Sequence, residues 1–250
     1  MDGFGWDIIL QSLPKLLEGL WVTAQLVLVS GLFGLLLALP LGIARSSPRP
    51  WVRALPFGYI FFFRGTPLLV QLFLIYYGLA QFEAIRQGPL WYLLREPYVC
   101  ALLTFSLHTA AYIAEILRGA LQAVPPGEVE AARAIGMGRW LTLRRVLLPR
   151  AAQIGLPAYG NEVILMVKGS ALASTITLLD LTGMARTLIA GNYRAVEMFL
   201  AAGVLYLIFN WVLQRLFRLA ERAMNRHLRE PPRLVQQPVP RVPSGLDPPL

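Results

Sequence analysis

Hydrophobic residues fall into five long blocks separated by short breaks that are polar or rich in proline. The first covers residues 20–44 and is dominated by Leu, Val, Ala and Gly. At roughly 1.5 Å per helical residue it more than crosses a hydrocarbon layer about 30 Å thick. Gly31, Gly34 and Gly42 along it would let another helix approach closely. Later blocks cover residues 56–79, 97–119, 151–173 and 196–217. The pattern predicts an all-α integral membrane protein with five transmembrane helices. Residues 1–17 carry Asp2 and Asp7 but no leading basic cluster, which predicts an interfacial lead-in helix rather than a cleaved signal peptide. The fifth block runs into a basic helix that ends at Arg229. Residues 231–250 then hold seven prolines, the composition of a disordered tail. Three regions are expected: an N-terminal segment 1–18, a membrane domain 19–229 and a Pro-rich tail 230–250.

Polar residues interrupt the blocks at a few places. Arg64-Gly65-Thr66-Pro67 puts a charge and a helix-breaking pair inside the second. His108, Thr109 and Glu115 lie in the second half of the third. The fourth carries Asn161, Glu162, Lys168 and Ser170, with Ser174 just past it, and residues 175–194 mix apolar runs with Asp180, Arg186 and Arg194. That last stretch reads as a re-entrant or surface-helical loop, with Asp180 solvated or capping a helix.

Residues 118–150 form an arginine-rich island. After Pro125-Pro126-Gly127, residues 128–135 read as a short helix with Glu128 and Glu130 in the first turn, where the helix dipole favours carboxylates. Gly136 and Gly138 end it. Ala131, Ala132 and Ala134 are too small to hold another surface away, so this helix suits a groove on a partner. A solvated loop helix is the alternative.

Composition agrees with the membrane reading. Of 250 residues, 56% are hydrophobic and 15% charged, and the mean hydropathy is +0.55. A net charge of +9 raises nucleic acid as a partner, but its distribution points to membrane lipid instead. Lys and Arg number three in residues 45–53, six in 118–150 and seven in 215–241, sixteen on one side. The other side has five: Lys15, Arg86, Arg95, Arg186 and Arg194. The excess marks the cytoplasmic face, which puts the N-terminus outside, the C-terminus in the cytoplasm and the alanine-rich helix beside cytosolic ATP. One cysteine, Cys100, excludes an internal disulfide.

The sequence shows no phosphate-binding glycine loop ending in Lys-Ser/Thr, no His-Glu-x-x-His metal pair and no pair of intramembrane aspartates. No enzymatic activity, metal or cofactor is therefore expected. Glu162 is the leading site residue. A charged carboxylate in hydrocarbon costs several kcal/mol, so such a group faces a cavity or a cation. Twelve residues beyond Arg150, it lies about 18 Å into the layer, near its middle. Two readings stand: a structural partner of Arg64 or Lys168, or the receptor for a cationic substrate group. Asn161, Ser170 and Ser174 lie nearby in sequence, Thr66 sits at the Pro67 kink, and Lys168 suits a neighbouring acid or a substrate carboxylate. Arg64 is expected to pair with Glu115, and His108 to serve in packing or hydrogen bonding, with a ligand or proton role as the alternative.

Glu130-Ala131-Ala132, with Gly136 four residues on and Leu148-Pro149 closing the island, resembles the EAA loop of bacterial ABC importer permeases. Residues 63–72, FRGTPLLVQL, resemble a segment of the polar amino acid permeases, as do residues 111–119, AYIAEILRG. Residues 156–166, LPAYGNEVILM, are similar to the histidine, lysine, arginine and opine branch. The likeness spans roughly residues 19–229. It implies a MetI-like type I ABC importer permease fold in a bacterial inner membrane. The coupling helix would lie at about 128–139, with Glu128, Glu130, Ala131, Ala132 and Gly136 serving the ATPase contact. Implied partners are a second permease chain, identical or paralogous, two cytoplasmic ATP-binding subunits and a periplasmic substrate-binding protein. Glu162 would suit a basic side chain of histidine, arginine, lysine, ornithine or an opine; Asn161, Thr66, Ser170, Ser174 and Lys168 are further candidate substrate contacts on their positions alone. A proton-coupled secondary carrier is the alternative, although no internal repeat and an odd number of spans argue against paired halves. A scaffold or channel subunit without a substrate site is a third.

Overall fold

The computed structural model describes residues 5–225, and every regular element among them is helical. In chain order the helices are α1 (Trp6–Arg45), α2 (Pro50–Gly65), α3 (Leu68–Phe73), α4 (Glu83–Arg86), α5 (Trp91–Leu94) and α6 (Pro97–Gln122). There follow α7 (Pro126–Ala134), α8 (Arg139–Thr142), α9 (Leu148–Ser170), α10 (Leu181–Asn192) and α11 (Ala195–Met224). The Pro-rich tail and the end of the basic helix fall outside the described residues.

Helices α1, α6 and α11 are each long and apolar enough to cross a membrane alone. Two bent pairs bring the total to five when each is counted as one span. The expected second span is two arms, α2 and residues Leu68–Gln81, set at 103° to each other. Pro67 causes the break: it brings no N–H, and it pushes Thr66 before it out of helical geometry to φ −113°, ψ 144°. The fourth span continues from Arg139 to Ile176 and meets α10 at 47°. Among the described residues there is no separate lead-in helix, because α1 is one helix of 40 residues from Trp6, about 60 Å long.

Helix α1 is the axis of packing, in contact with α2, α6, α9, α10 and α11. Its glycines allow this. A Cβ on Gly42 would lie 2.9 Å from the Ala114 carbonyl oxygen, and one on Gly34 would lie 3.2 Å from the Thr109 methyl. At Gly31 the nearest atom is the Met166 methyl at 3.4 Å, a looser fit. The stretch 175–194 is ordered by Asp180, which is fully buried and caps α10 by accepting from Gly183 N (3.0 Å) and Thr182 N (3.3 Å). Thr23 of α1 adds an acceptor for Leu181 N at 3.0 Å. Asp180 is thus the capping residue, not a solvated one. Outward, α1, α2 and α11 present Trp21, Leu32, Phe61, Val204, Leu207 and Trp211 to the surroundings, the surface of a helix in lipid rather than water.

Candidate functional site

Where α3, α6 and α9 converge they leave a cavity of about 120 Å³ whose lining includes Leu68, Phe105, His108, Thr109, Tyr112, Glu162 and Met166. That is room for several water molecules. The space suits the head group of a basic side chain better than a whole amino acid. Glu162 reaches it from the middle of the unbroken helix α9, and only 7% of the residue is exposed. None of the ion pairs among the described residues includes it. Arg64 is near enough to act on it electrostatically, but its guanidinium lies over the Tyr112 ring, 5.1 Å from the centroid.

The expected pairing of Arg64 with Glu115 is replaced. Glu115 accepts from Arg118 Nε at 2.7 Å, one turn along the same helix, where the partner is already held at the right spacing. Arg64 takes the aromatic face instead.

Gln71 is the residue that sequence reasoning missed. Only 3% exposed, it closes the α2–α3 break: its Nε2 donates to Thr66 Oγ1 (2.7 Å), Phe63 O (2.9 Å) and Thr66 O (3.1 Å). The break at Pro67 strands those carbonyls, and inside a membrane something in the chain must satisfy them. Its Oε1 meets His108 Nδ1 at 3.0 Å, which makes His108 a hydrogen-bonding residue at the cavity wall. A glutamine four residues beyond a proline in an apolar stretch is the signal that could have revealed it.

The other expected substrate residues do not gather around Glu162. Asn161 lines a separate groove of about 320 Å³ between α9 and α11, with Gln214, Arg218 and Glu221. Ser170 is fully buried and donates to Val167 O at 2.7 Å, and Ser174 donates to Ala171 O at 2.8 Å, so both hydroxyls are spent on their own helices. Lys168 is exposed. Thr66 donates to Phe62 O at 2.8 Å and belongs to the break rather than the cavity wall.

At the other end of α6, helix α7 begins on Pro126 and stops at Gly136, whose φ of +82° lies in the left-handed region. Gly136 N donates to Arg133 O (2.9 Å) and Met137 N to Ala132 O (3.0 Å), the paired closing bonds of a Schellman turn. Glu130, Ala131 and Ala134 face outward beside Ile135, which is 79% exposed, whereas Ala132 faces the protein. Glu128 also turns back, to an ion pair with Arg150 Nε at 3.2 Å. Of the five expected docking residues, Glu130 and Ala131 are on the open face, Gly136 shapes the turn, and Glu128 and Ala132 hold α7 to its own chain.

Residues 30–226 match the family described as binding-protein-dependent transport system inner membrane component. The chain is 46% identical over 224 residues to the nopaline transport system permease protein NocM of Agrobacterium fabrum, covering 89% of this chain and 93% of that one. It is 49% identical over 237 residues to the octopine transport system permease protein OccM of Rhizobium meliloti, with 94% and 95% covered. Identity is 42% over 213 residues to the arginine ABC transporter permease protein ArtM of Escherichia coli, with 85% and 95% covered. Among solved structures, an amino acid ABC transporter crystallised with histidines has 33% identity and a TM-score of 0.78, covering 89% of this chain and all of that one. The MetNI methionine ABC transporter in an inward-facing form has 25% identity and a TM-score of 0.71, covering 85% and 97%. The helical frame is therefore the MetI-like permease fold, and the chain belongs to the binding-protein-dependent transport system inner membrane component family, as a permease subunit whose ATP hydrolysis resides in a separate partner.

Proposed function

We propose that this permease imports basic amino acids or opines, and that Glu162 receives the cationic head of the cargo. The observation that carries this reading is the Glu162 carboxylate: buried to 7% exposure, at mid-span, lining a cavity, and in no ion pair among the described residues. A cation entering the cavity would offset the cost of burying that charge. Nopaline, octopine and arginine, the cargoes in the names of the relatives, all bear a guanidinium group, which supports the same reading.

In the assembled transporter, two permease chains, identical or paralogous, would pair with two ATP-binding subunits, and a periplasmic binding protein would deliver the cargo. The N-terminus would face the periplasm and the C-terminus the cytoplasm, an orientation that the basic loops support. Helix α7 would seat in the ATPase through Glu130, Ala131, Ala134 and Ile135. Closure of the ATPase pair would move α7, and the Glu128–Arg150 pair would pass that movement to α9, the helix that holds Glu162.

A competition assay tests the cargo. In vesicles holding the assembled transporter, supplied with ATP and with the proton gradient collapsed, unlabelled basic amino acids should suppress uptake of labelled arginine. Acidic and small neutral ones should leave it unchanged. Equal suppression by all three classes would overturn the assignment, and loss of uptake with the gradient would point to a proton-coupled carrier.

A further inference from the structure

We propose that His108 is a second cargo receptor, presenting its Nε2 lone pair beside Glu162, and that Gln71 sets the tautomer that makes it an acceptor. The proposal rests on the reading of Glu162 as the cation site.

The Gln71 amide nitrogen lies within hydrogen-bond distance of two backbone carbonyls and one hydroxyl. If the amide were flipped, its oxygen would face two carbonyl oxygens, neither of which can donate, so the orientation is fixed by chemistry. The amide oxygen is left facing His108 Nδ1 at 3.0 Å. An amide oxygen only accepts, so Nδ1 carries the proton, and in the neutral ring Nε2 is an unprotonated acceptor. Tyr112 lies against the ring, 4.9 Å between centroids with 37° between planes, and holds it in place. His108 lines the cavity of Glu162, and its Nε2 has no hydrogen-bond partner among the described residues.

Two acceptors of different kinds then face one space, a carboxylate from α9 and a ring nitrogen from α6. A guanidinium offers N–H donors on separate nitrogens of one plane and can satisfy both together. A cargo carboxylate would be repelled by the Glu162 charge and would find no donor at Nε2, with only the Thr109 and Tyr112 hydroxyls left to it. The bend at Pro67 thereby acquires a role in selection, since the residue that closes it also orients His108.

Two substitutions separate this role from a purely structural one. Asparagine keeps a donor where Nδ1 stood, so His108→Asn preserves the bond to Gln71 and removes the Nε2 acceptor. Glutamine reaches the Nε2 position, so His108→Gln restores an acceptor there and gives up the bond to Gln71. In ATP-driven uptake of labelled arginine, His108→Asn should raise KM roughly tenfold with little change in maximal rate, the scale of one lost charge-assisted bond. His108→Gln should stay within about threefold of the parent. The reverse order would make His108 only a tie to Gln71, and equal behaviour of the two variants would also overturn the proposal. A measurement on the unaltered site runs beside these. With His227→Gln, His108 is the one histidine left in the chain. Solid-state 15N spectra of this labelled chain in the assembled transporter should show a protonated Nδ1 and a bare Nε2, and Nε2 should shift upfield when arginine is added. A protonated Nε2, or no shift on addition, would refute it. If Glu162→Gln leaves arginine uptake unchanged, the cation site itself is wrong. If Glu162→Gln abolishes uptake while the His108 variants reverse their order, only this inference falls.

Discussion

At the scale of single residues, the chain spends polar side chains in two ways. Most are turned onto their own backbone, as Ser170 and Ser174 are, and stabilise the helix they belong to. A few, Gln71 foremost, join elements. Gln71→Leu should lower the thermal stability of the purified permease by about 2 kcal/mol, because it leaves carbonyls of Phe63 and Thr66 unsatisfied at the break. A melting midpoint equal to the parent's would contradict this. Gly136→Val should strain a turn that needs φ of +82° and weaken co-purification of the ATP-binding subunit. Glu162 was legible in the sequence because a carboxylate at mid-span has few permitted surroundings. Its neighbours were misjudged through helix geometry: Asn161 is turned by about 100° from Glu162 and so opens on a different groove. Gln71 stayed hidden because a neutral amide in an apolar run carries no cost that sequence alone exposes. Its task appears only once the Pro67 break has stranded specific carbonyls.

At the scale of elements, the hydrophobic blocks located the spans but not their straightness. The first block and its lead-in form one helix even though Pro14 and Pro40 lie inside it and each removes one backbone donor. The second block folds into two arms because Pro67 outweighs the apolar pattern on either side. Helix α7 was legible from its caps, Pro126 at the start and Gly136 at the end. Which of its faces is open was not, since that depends on Arg150 drawing Glu128 inward from α9. This pair is partly exposed, 25% for the Arg150 side chain and 37% for that of Glu128, so its contribution to stability is about 1 kcal/mol or less. Glu128→Arg should therefore leave the fold intact and reduce transport per ATP hydrolysed. The double exchange Glu128→Arg with Arg150→Glu should recover most of that ratio. If the single change leaves the ratio unaltered, or the double exchange recovers nothing, the pair transmits no movement. Removing residues 131–136 should abolish co-purification of the ATP-binding subunit.

At the scale of the whole molecule, composition and charge say most. The long apolar faces of α1, α2 and α11 suit lipid, and the basic loops at Arg45–Arg53 and around α7 suit the cytoplasmic side. Arg49→Cys, in a chain whose buried Cys100 is replaced by Ser, should react with a membrane-impermeant maleimide only after the inner face is exposed. Labelling of intact cells would invert the proposed topology. The central claim is that a cationic head group is received by Glu162, and a neutral isostere of the cargo tests it most directly. Citrulline has the shape of arginine without its charge. In ATP-driven uptake the parent should favour arginine over citrulline strongly, and Glu162→Gln should cut that preference at least tenfold, the loss of about 1.4 kcal/mol of discrimination. An unchanged preference would contradict the account.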